Sequence, residues 1–234
     1  MSYTRSAARK AFDSEIDRIV RELKSVGKRK GLKSNIKTHV ECSCIILSMA
    51  QIENYLEDVL ITWINGLNAI VTTPAGLPVN MRAFYMQDDA FRKAVANYMI
   101  NGDEDKYIKA MQDFMARPVH QMYNNTAALP RIYPQQLIND KKYPSPKNFK
   151  RLFFRIGIRN IFGEIDRRTR KDSEKALQSF NDLRTAIAHQ GTPPGINYND
   201  IAGKIKEIQA VINTVDRILH RHVLTHGGST CWRS

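Results

Sequence analysis

The sequence has no apolar run approaching the ~18 residues that a membrane span requires. Its three cysteines are too few for a disulfide framework, and two of them, Cys42 and Cys44, fall inside a helical pattern. There is no Gly-rich phosphate loop, no pair of carboxylates at a catalytic spacing and no nucleophile-elbow serine. No stretch shows the two-residue alternation between turn signals that marks strands. Internal repeats and low-complexity tracts are absent, and the first residues, MSYTRSAARK, form no apolar signal core. These absences exclude membrane-spanning, disulfide-scaffold, P-loop and β-rich classes. They predict a cytoplasmic all-α chain with reduced thiols, no cofactor and no metal.

Acid is scarce relative to base. Lys and Arg total 36 against 23 Asp and Glu, a net charge of +13. That balance favours a polyanionic partner, nucleic acid or an acidic surface. With 234 residues, 42% of them hydrophobic, the chain can bury one large core.

Along the chain, Phe12, Ile16, Ile19, Val20 and Leu23 recur at three- and four-residue steps and predict a helix over 6–26. A second helix is expected from Ser34 or Asn35 to Leu67, with the stripe Ile45, Met49, Ile52, Leu56, Val59, Leu60, Trp63 and Leu67. Glu53 lies on the flank of that stripe. Residues 68–146 are expected to form an insertion between core helices, with Asp88 and Asp89 capping one short helix and Asp103 another before Pro118. Helical periodicity returns at Phe149, Leu152, Phe153 and Ile156, with interruptions near Gly157 and Gly163. Asp172 or Ser173 caps the next helix, and Gln190 to Gly195 stops it. The final helix, 199–224, repeats Ile201, Ile205, Ile208, Ile212, Val215 and Leu219 in a bundle seam. Residues 226–234 are expected to fray. The whole reads as one domain, 1–234.

The segment FNDLRTAIAHQG, 180–191, holds the residues that matter most. At roughly 100° per residue, Arg184 falls about 40° from Phe180, inside the apolar stripe. An unpaired buried guanidinium costs several kcal/mol, so Arg184 needs a partner or a wet groove. His189 lies five residues on, about 140° round a regular helix, so the two side chains do not converge. Either the helix loosens before Gly191, or the residues meet those of a second chain across a two-fold axis. An imidazole moves protons near neutral pH, and an Arg binds a phosphate bidentately. Together they suit cleavage of RNA by its own 2′-OH, without a metal. The same residues also fit a buried Arg paired with Glu53 or another acid, beside a His at a helix C-terminus.

LRTAIAHQG, on a helix that follows the long one carrying ILSMAQIENYLEDVL, resembles the HEPN superfamily, whose Arg-x4-6-His motif marks metal-independent RNases. The stand-alone prokaryotic members associated with RNA ligase-like proteins look most similar. The resemblance covers about half of the chain and implies a helical bundle of long antiparallel helices that dimerises. Arg184 and His189 would then be the catalytic pair, with Asn181, Thr185 and Glu53 in support. Active members often carry Asn, Asp or His after the Arg, where this chain has Thr185, and Gly directly after the His, where it has Gln190. The implied setting is phage defence, stress response or toxin–antitoxin control, with RNA, a second copy and a neutralising or regulatory protein as partners. A non-catalytic HEPN-like protein- or RNA-binding module is the alternative; a nucleotide-binding helical domain is a third reading.

Residues 141–171 hold eleven Lys or Arg interleaved with Tyr143, Phe149, Phe153 and Phe154. Lys147, Lys150, Arg151, Arg155 and Arg159 recur at nearly helical spacing and are expected to contact RNA phosphates. Alternatively they form a solvated face with the aromatics in the core. Cys42 and Cys44 diverge by roughly 200° on a helix, so His39, Cys42 and Cys44 cannot hold a tetrahedral ion without unwinding. His222 and His226 share a face, but His220, His222 and His226 are expected in a solvated tail.

Overall fold

The computed structural model describes residues 2–87, 89–139, 144–191 and 195–234, and the regular structure among them is entirely helical. Three long helices carry the bundle: α1 (Ala7–Lys28), α2 (Ser34–Ile70) and α10 (Tyr198–Gly227). The Ser6 side chain caps α1 by accepting from the Arg9 amide, and Asn197 with Asp200 form a capping box on α10. The N-cap of α2 is Lys33, without a side-chain cap; Ser34 and Asn35, the two residues expected in that role, are its first helical residues, and Asn35 Oδ1 accepts from the Ile36 amide at 3.0 Å.

Contacts between the three fix their directions. Phe12 packs against Tyr55, and the Cys44 thiol meets the Ile19 carbonyl, so α1 and α2 are antiparallel. Tyr55 reaches Asp216 and Trp63 packs on His222, so α10 runs parallel to α2. Asp216 is fully buried and accepts the hydroxyls of Tyr3, Ser6 and Tyr55 at 2.7, 2.6 and 3.0 Å, tying the chain start to both helices.

The C-terminal residues 226–234 do not fray. α10 continues to Gly227, and a 3-10 turn at Ser229–Cys231 buries Cys231 between α2 and α10. The slot exists because Gly66 and Gly227 carry no side chain. A Cβ on either would stand 2.7 or 2.8 Å from the Cys231 sulfur. Trp232 Nε1 donates to the Thr4 carbonyl, and the Ala7 amide donates to Arg233 O.

Residues 68–146 divide in two. α3 (Val79–Tyr85), α6 (Pro134–Ile138) and the 3-10 turn Pro118–Tyr123 bury Met81, Met122 and Leu137 in the common core. α4 (Asp89–Asn101) and α5 (Glu104–Met115) form a hairpin with no buried residue, joined by Phe91 on Phe114 and Tyr98 on Tyr107. Asp103 caps α5 as expected. Asp88 lies outside the described residues, as do Lys141, Lys142 and Tyr143 of the basic stretch and residues 192–194 of the helix stop.

α7 (Pro146–Arg155), α8 (Ile161–Thr169) and α9 (Ser173–Gln190) complete the fold. Gly157 breaks the chain between α7 and α8 at φ +97°. Gly163 is no break: it sits in the first turn of α8, where a Cβ would collide with the Asn160 side chain that caps the helix. Asp172 caps α9 through the Lys175 amide. Ser173 and Ala176 share a cleft with Ala210 and Thr214, and Lys204 donates to Ser179, so α9 folds back antiparallel to α10 and hence to α2.

Candidate functional site

α9 stays regular through its last turn. The Gly191 amide donates to Ile187 O at 2.8 Å, and Gly191 closes the helix in the left-handed region at φ +72°, which suits a residue without Cβ. Arg184 and His189 therefore leave the helix about 140° apart. His189 is exposed in the last turn, where the helix dipole favours a cation. Arg184 is half-buried and engaged. The end of α9 meets α2 here, with the Cys42 sulfur 3.6 Å from Gly191 O. Within one chain the two motif residues do not meet.

The supporting residues gather nearer. Equal lengths of chain, from Cys42 up to Glu53 and from Gly191 back to Phe180, bring Glu53 level with Phe180, about one turn from Arg184. Glu53 is half-buried and, like Arg184, has a partner. The Thr185 hydroxyl donates to the Asn181 carbonyl at 2.9 Å, so its proton is committed to its own helix. The Asn181 side-chain oxygen is buried with no hydrogen-bond partner among the described residues. Beside this seam, α2 shows an apolar face to solvent: Ile36, Ile46 and Leu47 are 44–46% exposed, with Val40 half-buried between them.

A second feature lies at the other end of α9. Lys150, Arg151, Arg155 and Arg159 line one groove of about 880 Å³; Lys147 is exposed outside it. The opposite wall comes from the insertion, through Asn80 and Phe84 of α3 and Arg92 of α4. The Arg155 guanidinium stacks 4.2 Å from the Phe84 ring centroid while donating to Leu137 O. A neighbouring cleft of about 700 Å³ shares Phe84, Arg92 and Arg155 and extends the trough to Arg117. Phe149 and Phe153 are core residues, as one reading of the aromatics had it, but Phe154 is 55% exposed at the groove. Its position on the cationic face of α7, three and four residues from Arg151 and Lys150, is a signal the sequence carried. The contributions of Phe84 and Arg92, by contrast, had no local signal.

The remaining candidates are structural. Cys42 and Cys44 point to different neighbours, Gly191 and Ile19. The three histidines are not a solvated tail. His220 is buried against Tyr3 and Trp232. His222 Nε2 lies 2.7 Å from Ile156 O, and burial, with His226 alongside, pushes its pKa down to about 4. Among the described residues no helix is long and apolar enough to cross a membrane.

The sequence model of the RiboL-PSP-HEPN family matches residues 14–221, from the middle of α1 to the last turns of α10. Among curated proteins and among solved structures, nothing matches.

Proposed function

The chain belongs to the RiboL-PSP-HEPN family, and on that premise we propose that it is a metal-independent endoribonuclease working as a homodimer. The observation that carries this reading is the regular end of α9, which holds Arg184 and His189 apart on one chain, beside an uncovered apolar face of α2. A two-fold axis along that face covers Ile36, Ile46 and Leu47 and brings two copies of the motif into one groove. There His189 of one copy removes the 2′-OH proton or returns a proton to the leaving 5′-oxygen. Arg184 binds the phosphate and stabilises its charge in the transition state. The 2′-oxygen forms a bond to phosphorus as the bond to the 5′-oxygen breaks, leaving a 2′,3′-cyclic phosphate and a 5′-hydroxyl. Glu53 orients Arg184 across the seam, with Asn181 beside it on α9, and Thr185 offers its remaining lone pairs. Lys147, Lys150, Arg151, Arg155 and Arg159 hold the RNA backbone. A cytoplasmic role in phage defence, stress response or growth control, restrained by a regulatory protein, fits such an activity.

The experiment is cleavage of labelled RNA by the purified protein in EDTA. Cleavage should persist under chelation, leave DNA intact, and vanish in both Arg184→Ala and His189→Ala. A second reading, a non-catalytic binding module, is favoured by the commitment of the Thr185 hydroxyl and by the partner Arg184 already has. RNA that is bound but never cut by the wild-type protein would establish it instead.

A further inference from the structure

The groove between α7 and the insertion has the composition of a stacking platform. Five cations line it, Lys150, Arg151, Arg155, Arg159 and Arg92, and no acid does among the described residues. Of these, Lys150 is bridged to Glu174 at 2.6 Å and Arg92 to Asp89 at 3.0 Å, while Arg155 is stacked on Phe84. Phe154 stands among them with more than half of its surface in water, on a helix whose neighbouring phenylalanines are fully buried. The Phe154 ring is open to a partner at the mouth of a cationic groove. Its backbone is held in place by Asn80, whose side chain donates to the Phe154 carbonyl at 2.8 Å.

We propose that this groove binds an unpaired RNA strand, with a base stacked on Phe154 and the flanking phosphates on Arg151, Arg159 and Arg92. The proposal rests on the RNA reading above and adds a stacking residue, Phe154, and a task for the insertion, which supplies one wall. A base can lie flat on a phenyl ring only when it has left a duplex; paired bases show proteins only their edges. The trough continues past Arg92 and its partner Asp89 toward Arg117, a length that suits a polymer rather than a single nucleotide. At its other end it meets α9 through Lys150 and Glu174. Glu174, Asn181 and Thr185 lie within about 40° of one another on the α9 wheel, on a stripe some 16 Å long. That stripe runs between Arg184 and His189.

The test is fluorescence anisotropy with a labelled twelve-nucleotide RNA, 2′-O-methylated so that it cannot be cut, offered unpaired and as a duplex. The wild-type protein should prefer the unpaired strand. Phe154→Ala should weaken that binding about ten-fold, the loss of one base stack, and Phe154→Trp should restore it. Phe154→Ala should leave the thermal unfolding midpoint unchanged. Equal binding of the duplex, or a Phe154→Ala protein that binds normally, overturns the proposal while the nuclease reading stands. A mononucleotide or an oligoglutamate peptide that binds as tightly as the strand also overturns it. Failure to bind RNA in either form removes both.

Discussion

Lowering the pH should destabilise the protein chiefly through His222, with His226, whose pKa burial also lowers, adding in the same direction. Its Nε2 faces the Ile156 carbonyl at 2.7 Å, an acceptor only, so Nε2 carries the proton and Nδ1 is bare in the neutral ring. Trp63 meets the ring edge to face at 5.3 Å between centroids, and the tilted His226 ring lies 4.6 Å away. A second proton would place a charge in this apolar pocket beside His226 and near Arg221, which is why the pKa falls to about 4. The folded value lies below that of the unfolded chain, about 6.5, so the unfolded state binds more protons between the two. The stabilising contribution is therefore complete above pH 6.5 and is lost as pH falls toward 4. Between pH 7.5 and 5 the loss should be about 2 kcal/mol, rising to roughly 3 kcal/mol below pH 4. Urea unfolding at both pH values, compared between wild type and His222→Gln, isolates this contribution. The glutamine amide can still donate to Ile156 O but cannot gain a charge. Carboxylates that titrate in the same range cancel in the difference. The wild type should lose about 2 kcal/mol more than the variant over this interval. Parallel losses in the two proteins would refute the reasoning.

Mixing inactive Arg184→Ala and His189→Ala proteins, followed by subunit exchange, should restore part of the RNA cleavage, because half of the motif pairs across a mixed dimer are intact; a mixture that stays inactive argues for a site within one chain. Leu47→Asp should give a monomer by analytical ultracentrifugation and abolish cleavage without loss of helicity by circular dichroism. Gly66→Ala should cost about 1–3 kcal/mol in urea unfolding, since its Cβ would stand 2.7 Å from the Cys231 sulfur and force the tail out of its slot. Asp216→Ala should cost about 3 kcal/mol or more by the same measurement, because it strands the buried hydroxyls of Ser6 and Tyr55 and the half-buried one of Tyr3.

Where sequence reasoning succeeded, the signals were short-range. The stripes of α1, α2 and α10, the Asp172 and Asp103 caps and the Gly191 stop all depend on residues within a turn or two of each other. Where it failed, the deciding partner was distant. The tail HGGSTCWRS has no periodicity, and its ordered packing depends on Gly66, more than 160 residues earlier. Gly163 looked like a helix break because glycine often is one, yet its role is to leave room for the Asn160 cap. The histidines near the C-terminus looked solvated because nothing nearby in sequence announces Trp63, Tyr3 or Trp232.

The motif shows the same division. FNDLRTAIAHQG by itself sets Arg184 and His189 about 140° apart on a regular helix but leaves a loosened last turn open, and the structure decides that Gly191 ends the helix without loosening it. The sequence also determines an all-helical, strongly basic chain, because periodicity and charge need no partner to be read. Only the tertiary structure decides that α2 leaves Ile36, Ile46 and Leu47 uncovered beside that motif. It alone brings Phe84 and Arg92 of the insertion across from Phe154 to make a groove. Both depend on which helix faces lie side by side, a property of the packed core rather than of any one segment.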